Sequence, residues 1–136
     1  MRKFRANRIP GRRSNGILIV SCQVNSSYYG DFLVDTGAAL TVVSQKFAEE
    51  ADLDILRPVR YLSVASVHRV VRSPVIKLDA LQVGGQISRN IEALVLSLPS
   101  ELRVDGLLGI NFLEKFRTTF EFEQATLILR SISHRI

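Results

Sequence analysis

The sequence predicts a small all-β domain, a barrel or a sandwich, carrying two short helices. Three observations predict it. Apolar, β-branched runs of about five to nine residues recur from residue 17 onward. Turn-forming residues punctuate them at short intervals. Only two stretches carry helix signals, and both are brief. The chain has 136 residues, 46% of them hydrophobic, enough for one compact core but not for two lobes. There is no repeat with a period of 20 to 50 residues.

The first patterned pair is Ile17–Val24 and Gly30–Val34, a hairpin joined by the turn-rich Asn25-Ser26-Ser27. Gly11 and Asn15-Gly16 set it apart from what precedes. Residues 44–51 read as a short helix with Ser44 as N-cap, although Phe47 stands where a capping box would need Glu. Pro58 closes the following loop. Val59–Val67 and Val70–Leu81 are β-branched runs flanking His68-Arg69, and Val83-Gly84-Gly85-Gln86 turns the second into Ile87–Leu96. After a loop at Pro99-Ser100, Asn111–Phe116 reads as a second brief helix. Thr118–Phe122 and Thr126–Leu129 then pair around Glu123-Gln124-Ala125.

Composition excludes several classes. A membrane-spanning helix needs roughly 20 apolar residues, and the longest unbroken runs, such as Ile17-Leu18-Ile19-Val20, are far shorter. Ile19-Val20-Ser21-Cys22 faintly resembles a lipoprotein cleavage site, but four apolar residues are too few for a signal peptide, so Cys22 reads as a strand residue. A single cysteine allows no internal disulfide and no thiolate metal cluster, and suits a cytoplasmic, reducing compartment. The net charge is +5, yet residues 1–16 carry Arg2, Lys3, Arg5, Arg8, Arg12 and Arg13 and no acid. Removing those six charges leaves −1 for the rest. The expected organisation is therefore a basic, disordered tail over residues 1–16, a domain over residues 17–130 and a C-terminal tail over residues 131–136. A chain starting near Ser14 is expected to fold, and any self-cleavage is expected between Arg8 and Ile17. The tail could touch nucleic acid or anionic lipid. The domain itself, without Trp and without a basic stripe interleaved with aromatics, does not read as a nucleic-acid binder.

The chemistry concentrates in Phe32-Leu33-Val34-Asp35-Thr36-Gly37-Ala38. An acid at the end of an apolar strand emerges where desolvation is expected to be strong, and an isolated buried carboxylate costs several kcal/mol or takes up a proton. Gly37 lets another chain approach closely, and the Thr36 hydroxyl can bond a neighbouring backbone group. The plain alternative is an ordinary turn after a strand, since Asp and Gly are common turn residues. A second segment, Asp105-Gly106-Leu107-Leu108-Gly109-Ile110-Asn111-Phe112-Leu113, lies 70 residues further on. Taken alone it is a strand-to-helix connection with a tight turn at Gly109.

Together the two segments resemble the retropepsin-like family, the single-domain aspartic proteases of retroviruses and their cellular and bacterial relatives. The matches are Asp35-Thr36-Gly37-Ala38 and Leu107-Leu108-Gly109, with the brief helix at 111–116 and the final hairpin at 118–129 in the family's order. The resemblance spans roughly residues 17 to 130 and implies a closed or nearly closed barrel of the retropepsin type, assembled as a two-fold dimer. It implies that Leu107-Leu108-Gly109 packs beneath the loop bearing Asp35. Aspartic proteolysis needs two carboxylates sharing a proton, and the chain has one such loop. Asp105-Gly106-Leu107 is not a second copy, since it lacks the hydroxyl. Asp35 of another subunit is then the implied partner, with Thr36 bracing the loops across the axis.

The resemblance further implies a flap over the substrate at Tyr61–Val75, with Ala65, Ser66 and Val67 near its tip. Glycine, frequent at flap tips of the family, is absent there. His68 reads as a solvated loop residue, and His134 carries no assignment. In two-lobed relatives a hydroxyl usually follows the glycine and favours the ionised carboxylate. Ala38 offers none, which moves the expected activity towards milder pH. The implied function is an aspartic endopeptidase without metal or cofactor, acting on polypeptides. The alternative is a non-catalytic dimerisation or peptide-binding module on the same fold.

Overall fold

A computed structural model of the chain describes residues 6–132. Its regular structure is mostly strand: β1 (Ala6–Pro10), β2 (Arg12–Ser14), β3 (Ile17–Val24), β4 (Tyr28–Val34), β5 (Thr41–Ser44), β6 (Arg60–Ala65), β7 (Val70–Val83), β8 (Gln86–Leu96), β9 (Gly106–Leu108), β10 (Phe116–Glu121) and β11 (Thr126–Ser131). Two short helices interrupt them, α1 (Gln45–Glu50) and α2 (Ile110–Leu113). The all-β class expected from the sequence holds.

Eight strands pair in the order β2-β3-β4-β9-β5-β8-β7-β6. The sheet curls until β7 meets β3 again through Gln23↔Gln82 and Val24↔Leu81, so the pairing closes as a ring with a two-residue seam. Inside it lies the main core, with Phe32, Leu78, Leu81, Leu108, Phe112, Leu127 and Leu129 fully buried. Leu78 and Leu81 reach it from β7, Leu108 from β9, and Leu127 and Leu129 from β11, where two-residue spacing puts both on one face of the strand. Cys22 is buried in β3, in the strand setting the sequence implied.

α1 begins where expected. Ser44 Oγ accepts from the Phe47 amide at 3.0 Å and caps the helix without a capping box. Phe47 then meets Phe32 edge-on, with ring centroids 6.0 Å apart, pinning α1 against β4. α2 is a single turn, shorter than the expected 111–116, because Phe116 already belongs to β10.

The N-terminal segment corrects the expectation of a disordered tail. β1 pairs with β11 over five residues, Ala6↔Arg130 to Pro10↔Thr126, and β2 pairs with β3. Ile9 is buried in the main core, the Asn7 side chain accepts from the Gly85 amide at 2.9 Å, and Arg8 forms an ion pair with Glu121 at 2.6 Å. A Cβ on Gly84 would stand 2.6 Å from Ile9, so the glycine turn makes room for β1 as well as reversing the chain. Backbone pairing plus one apolar anchor orders a segment that has no hydrophobic periodicity of its own. Residues 1–5, with Arg2, Lys3 and Arg5, and residues 133–136, with His134, lie outside the described residues.

Candidate active site

The site is built where β9 slots between β4 and β5. β9 runs parallel to β4 (Phe32↔Gly106, Leu33↔Leu107, Val34↔Leu108) and antiparallel to β5 (Val42↔Leu107, Val43↔Gly106). Residues 35–40 must therefore bridge two strands separated by a third. Gly106 makes the insertion possible, since a Cβ there would lie 2.3 Å from the Val42 carbonyl oxygen and 2.5 Å from the Phe32 ring. Asp105 locks the entry: its carboxylate accepts from the Asp31 amide at 2.9 Å, and its backbone binds Asp31 and Ser44 at 2.8 Å each.

Asp35 stands at the end of β4. Its amide donates to the Leu108 carbonyl at 3.0 Å, extending the β4–β9 ladder, and its Oδ1 accepts from the Gly37 amide at 2.8 Å. That Asp-to-backbone bond two residues on shapes the turn. Asp35 itself is half-buried, and Thr36 and Gly37 are exposed. Strong desolvation around Asp35, expected from the apolar strand before it, is not reached within one chain.

The loop is held from beneath. Ala38 O accepts from the Ile110 amide at 2.8 Å and Ala39 O from the Asn111 amide at 3.2 Å. Gly109 lies against Leu40 and Thr41: a Cβ on it would stand 2.6 Å from the Leu40 carbonyl carbon and oxygen. Its φ of −96° is open to any residue, so space and not backbone conformation demands the glycine. The structure thus brings Asp35, Ala38, Leu107, Leu108 and Gly109 into one assembly.

Two residues of that assembly were not singled out from the sequence. Thr41 is fully buried, and its Oγ1 accepts from the Gly109 amide at 3.1 Å while donating to Asn111 Oδ1 at 2.9 Å. Asn111 Oδ1 also accepts from the Thr41 amide at 2.8 Å, and its Nδ2 donates to the Glu92 carbonyl at 2.8 Å. Every polar atom that this buried crossing needs is used, which is the condition for burying it at all. The signal available was an Asn directly after an apolar-apolar-Gly-apolar run, where a helix start is crowded with unpaired amides.

The hairpin expected at 61–75 is present as β6 and the first part of β7, in register from Arg60↔Val75 to Ala65↔Val70. β8 pairs with β7 only from Val75 onward, so the hairpin stands beyond the ring as a two-stranded ribbon. Its tip runs Ser66–Arg69, closed by Ser66 N–H to Arg69 O at 2.8 Å. Ala65, Ser66, Val67 and His68 are all exposed, Val67 at 94%. Toward the Asp35 loop the ribbon presents Leu62 and Val64. They pack with Leu40, Leu96, Leu98 and Leu107 around the buried Val42, Val75 and Leu94, a second apolar cluster apart from the main core. Among the described residues no group of three His, Cys, Asp or Glu is placed to hold a metal ion. No helix of the described residues is long and apolar enough to cross a membrane.

Residues 20–115 match the model of the family described as gag-polyprotein putative aspartyl protease. No curated protein matches the chain. Among solved structures, a retropepsin-like aspartic protease from Rickettsia conorii is similar at a TM-score of 0.72 and 23% identity, over 96% of this chain and 97% of that one. The retroviral protease-like domain of Ddi1 from Leishmania major is similar at a TM-score of 0.62 and 19% identity, over 83% of this chain and 87% of that one. At such identities these two likenesses establish the fold alone.

Proposed function

The chain belongs to the retropepsin-like aspartic proteases, and on that premise we propose that it is an endopeptidase acting as a homodimer, with Asp35 of each subunit forming the catalytic pair. One observation carries the reading. Asp35 ends a core strand on a loop that is tied from below by Leu108, Ile110 and Asn111, while Thr36 and Gly37 remain exposed on its outer side. Such a loop is rigid where it joins the core and open where a second copy would sit. Thr36 is then the residue that braces the two loops across the axis.

In this mechanism the two carboxylates share one proton because like charges so close cannot both ionise. The ionised one takes a proton from water as the oxygen attacks the scissile carbonyl carbon, and the protonated one delivers its proton to the carbonyl oxygen. Collapse of the resulting diol breaks the C–N bond, and the leaving nitrogen takes up a proton. The dyad titrates as a unit.

The second apolar cluster supports a substrate class. Leu40, Leu62, Val64 and Leu107 join the Asp35 loop to the ribbon without a charged residue among them. A peptide lying there in extended form would present aliphatic side chains beside the cut and add its backbone to a strand edge. Ala65, Ser66 and Val67 are the ribbon residues proposed to close over it.

The experiment is incubation of the protein with a denatured protein mixture across pH, with Asp35→Asn alongside and cuts mapped by mass spectrometry. Cuts between apolar residues that vanish in Asp35→Asn are the expected result. A dimer by sedimentation that cleaves nothing at any pH would instead favour a non-catalytic peptide-binding module.

A further inference from the structure

The outer face of the terminal sheet β1-β11-β10 carries an uncompensated concentration of positive charge. Arg117 and Arg130 stand directly opposite each other in the β10–β11 register, both exposed. Like charges in that position destabilise a strand pair, and neither has an acidic partner within 4.0 Å among the described residues. Arg8 lies on the same face through its pairing with Ile128, though Glu121 engages it. Lys115, immediately before β10, is exposed and bonds only the Ser88 hydroxyl. The chain joins this sheet at the same end from both termini, since Ala6 pairs with Arg130 and Ser131 with Phe116. The residues beyond those points add Arg2, Lys3, Arg5 and Arg135 and no acidic side chain.

We propose that this face, centred on Arg117 and Arg130, is a docking surface for an anionic lipid bilayer. Charge complementarity requires an anionic partner, and the shape of the face selects among such partners. A single-stranded nucleic acid is held by a cationic groove with aromatic platforms for its bases. Here the aromatics of β10, Phe116 and Phe120, pack against the main core. The outward positions between the arginines are Thr119 and Ile128. A layer of lipid headgroups needs neither groove nor stacking, only a broad cationic face and flanking basic residues, and each such charge strengthens adsorption about fivefold. Adsorption of this kind lays the protein on the membrane without crossing it. The inference stands independently of the reading of Asp35.

The test is co-sedimentation of the full chain with vesicles of phosphatidylcholine alone and of phosphatidylcholine mixed with phosphatidylserine, at low and physiological salt. The expected result is partition onto the mixed vesicles only, weakening as salt rises. The double variant Arg117→Gln with Arg130→Gln is expected to bind about 25-fold more weakly, at about fivefold per charge. Its melting temperature should hold or rise, because the opposed charges are gone. Equal partition onto neutral vesicles overturns the proposal, as does wild-type binding by the double variant. Displacement from the vesicles by poly(U) at matched phosphate concentration would assign the face to nucleic acid and likewise overturn it.

Discussion

The Gly109 amide and the Thr41 hydroxyl meet at 3.1 Å, at a point where a Cβ on residue 109 would stand 2.7 Å from the Thr41 nitrogen. Residue 109 therefore has to be small and Thr41 has to carry a hydroxyl, and the two demands create a single crossing beneath the Asp35 loop. Gly109→Val is expected to lower stability by about 1 to 3 kcal/mol or more, since the contact is backbone and cannot swing aside. Asp35→Asn, half-buried and keeping an oxygen for the Gly37 amide, should stay within about 0.5 kcal/mol of wild type. Thermal melts of the two variants check this, and equal melting temperatures would place the close approach elsewhere.

Thr41→Val keeps the shape of the crossing and removes its hydroxyl. The buried Gly109 amide then loses its acceptor, at an expected cost of about 1 to 3 kcal/mol. Thr41→Ser, which keeps the hydroxyl, should recover most of that cost. Denaturant titration of the three proteins measures it, and Ser behaving like Val would assign the effect to the lost methyl packing.

The strands that carry the site were unevenly legible in the sequence. β3, β4, β7 and β8 announce themselves through long β-branched runs, and the Asp35-Thr36-Gly37-Ala38 and Leu107-Leu108-Gly109 segments stood out as chemistry and packing. β5 did not: Thr41–Ser44 is four residues long and merges into the cap of α1. Its identity depends on pairing with β8 and β9, both distant in the chain, which local periodicity cannot report. Asp105 and Gly106 could be set aside as no second copy of the Asp35 motif, but their role in locking and admitting β9 depends on contacts with Asp31, Ser44 and Val42 that are distant in the chain. Thr41 was silent because a buried hydroxyl looks, in sequence, like a surface one, and Asn111 offered only its place just after the Gly109 turn.

Dilution should lower specific activity if the catalytic pair spans two subunits. Activity and sedimentation across a concentration series test this, with the fall in activity expected to follow the loss of dimer. Full activity from a species that sediments as one chain would falsify the shared-site mechanism.

Cys22 is 1% exposed, and burial, reinforced by the negative charge of Asp31, pushes its thiol far above the ordinary range. Because the folded state holds the proton more tightly than the unfolded chain, this group favours folding at neutral pH. Its contribution declines as pH rises above about 9, the ordinary thiol value. Native protein should resist a thiol-specific chromogenic reagent at pH 8 and react fully in denaturant. Immediate reaction of the native protein would show that β3 opens far more readily than its burial implies.

The last prediction reverses what the sequence suggested for the N-terminus. A disordered tail could be removed without cost, but β1 covers one edge of β11 and buries Ile9. Deleting residues 1–10 uncovers that edge, which becomes a template for aggregation, and forfeits about 1.5 to 3 kcal/mol from Ile9 alone. The deletion is expected to melt several degrees lower and to aggregate on heating, and Ile9→Ala in the full chain should reproduce most of the loss of stability. Self-cleavage between Arg8 and Ile17 is also disfavoured, because β1 and β2 are paired and Gly11 is wedged 2.3 Å, at the position of a Cβ, from the Ile19 carbonyl oxygen. An intact N-terminus is therefore expected after prolonged incubation of active protein, read by intact mass. A truncated chain that melts with the wild type would mean that β11 keeps its place without β1, and that the pairing contributes little to the fold.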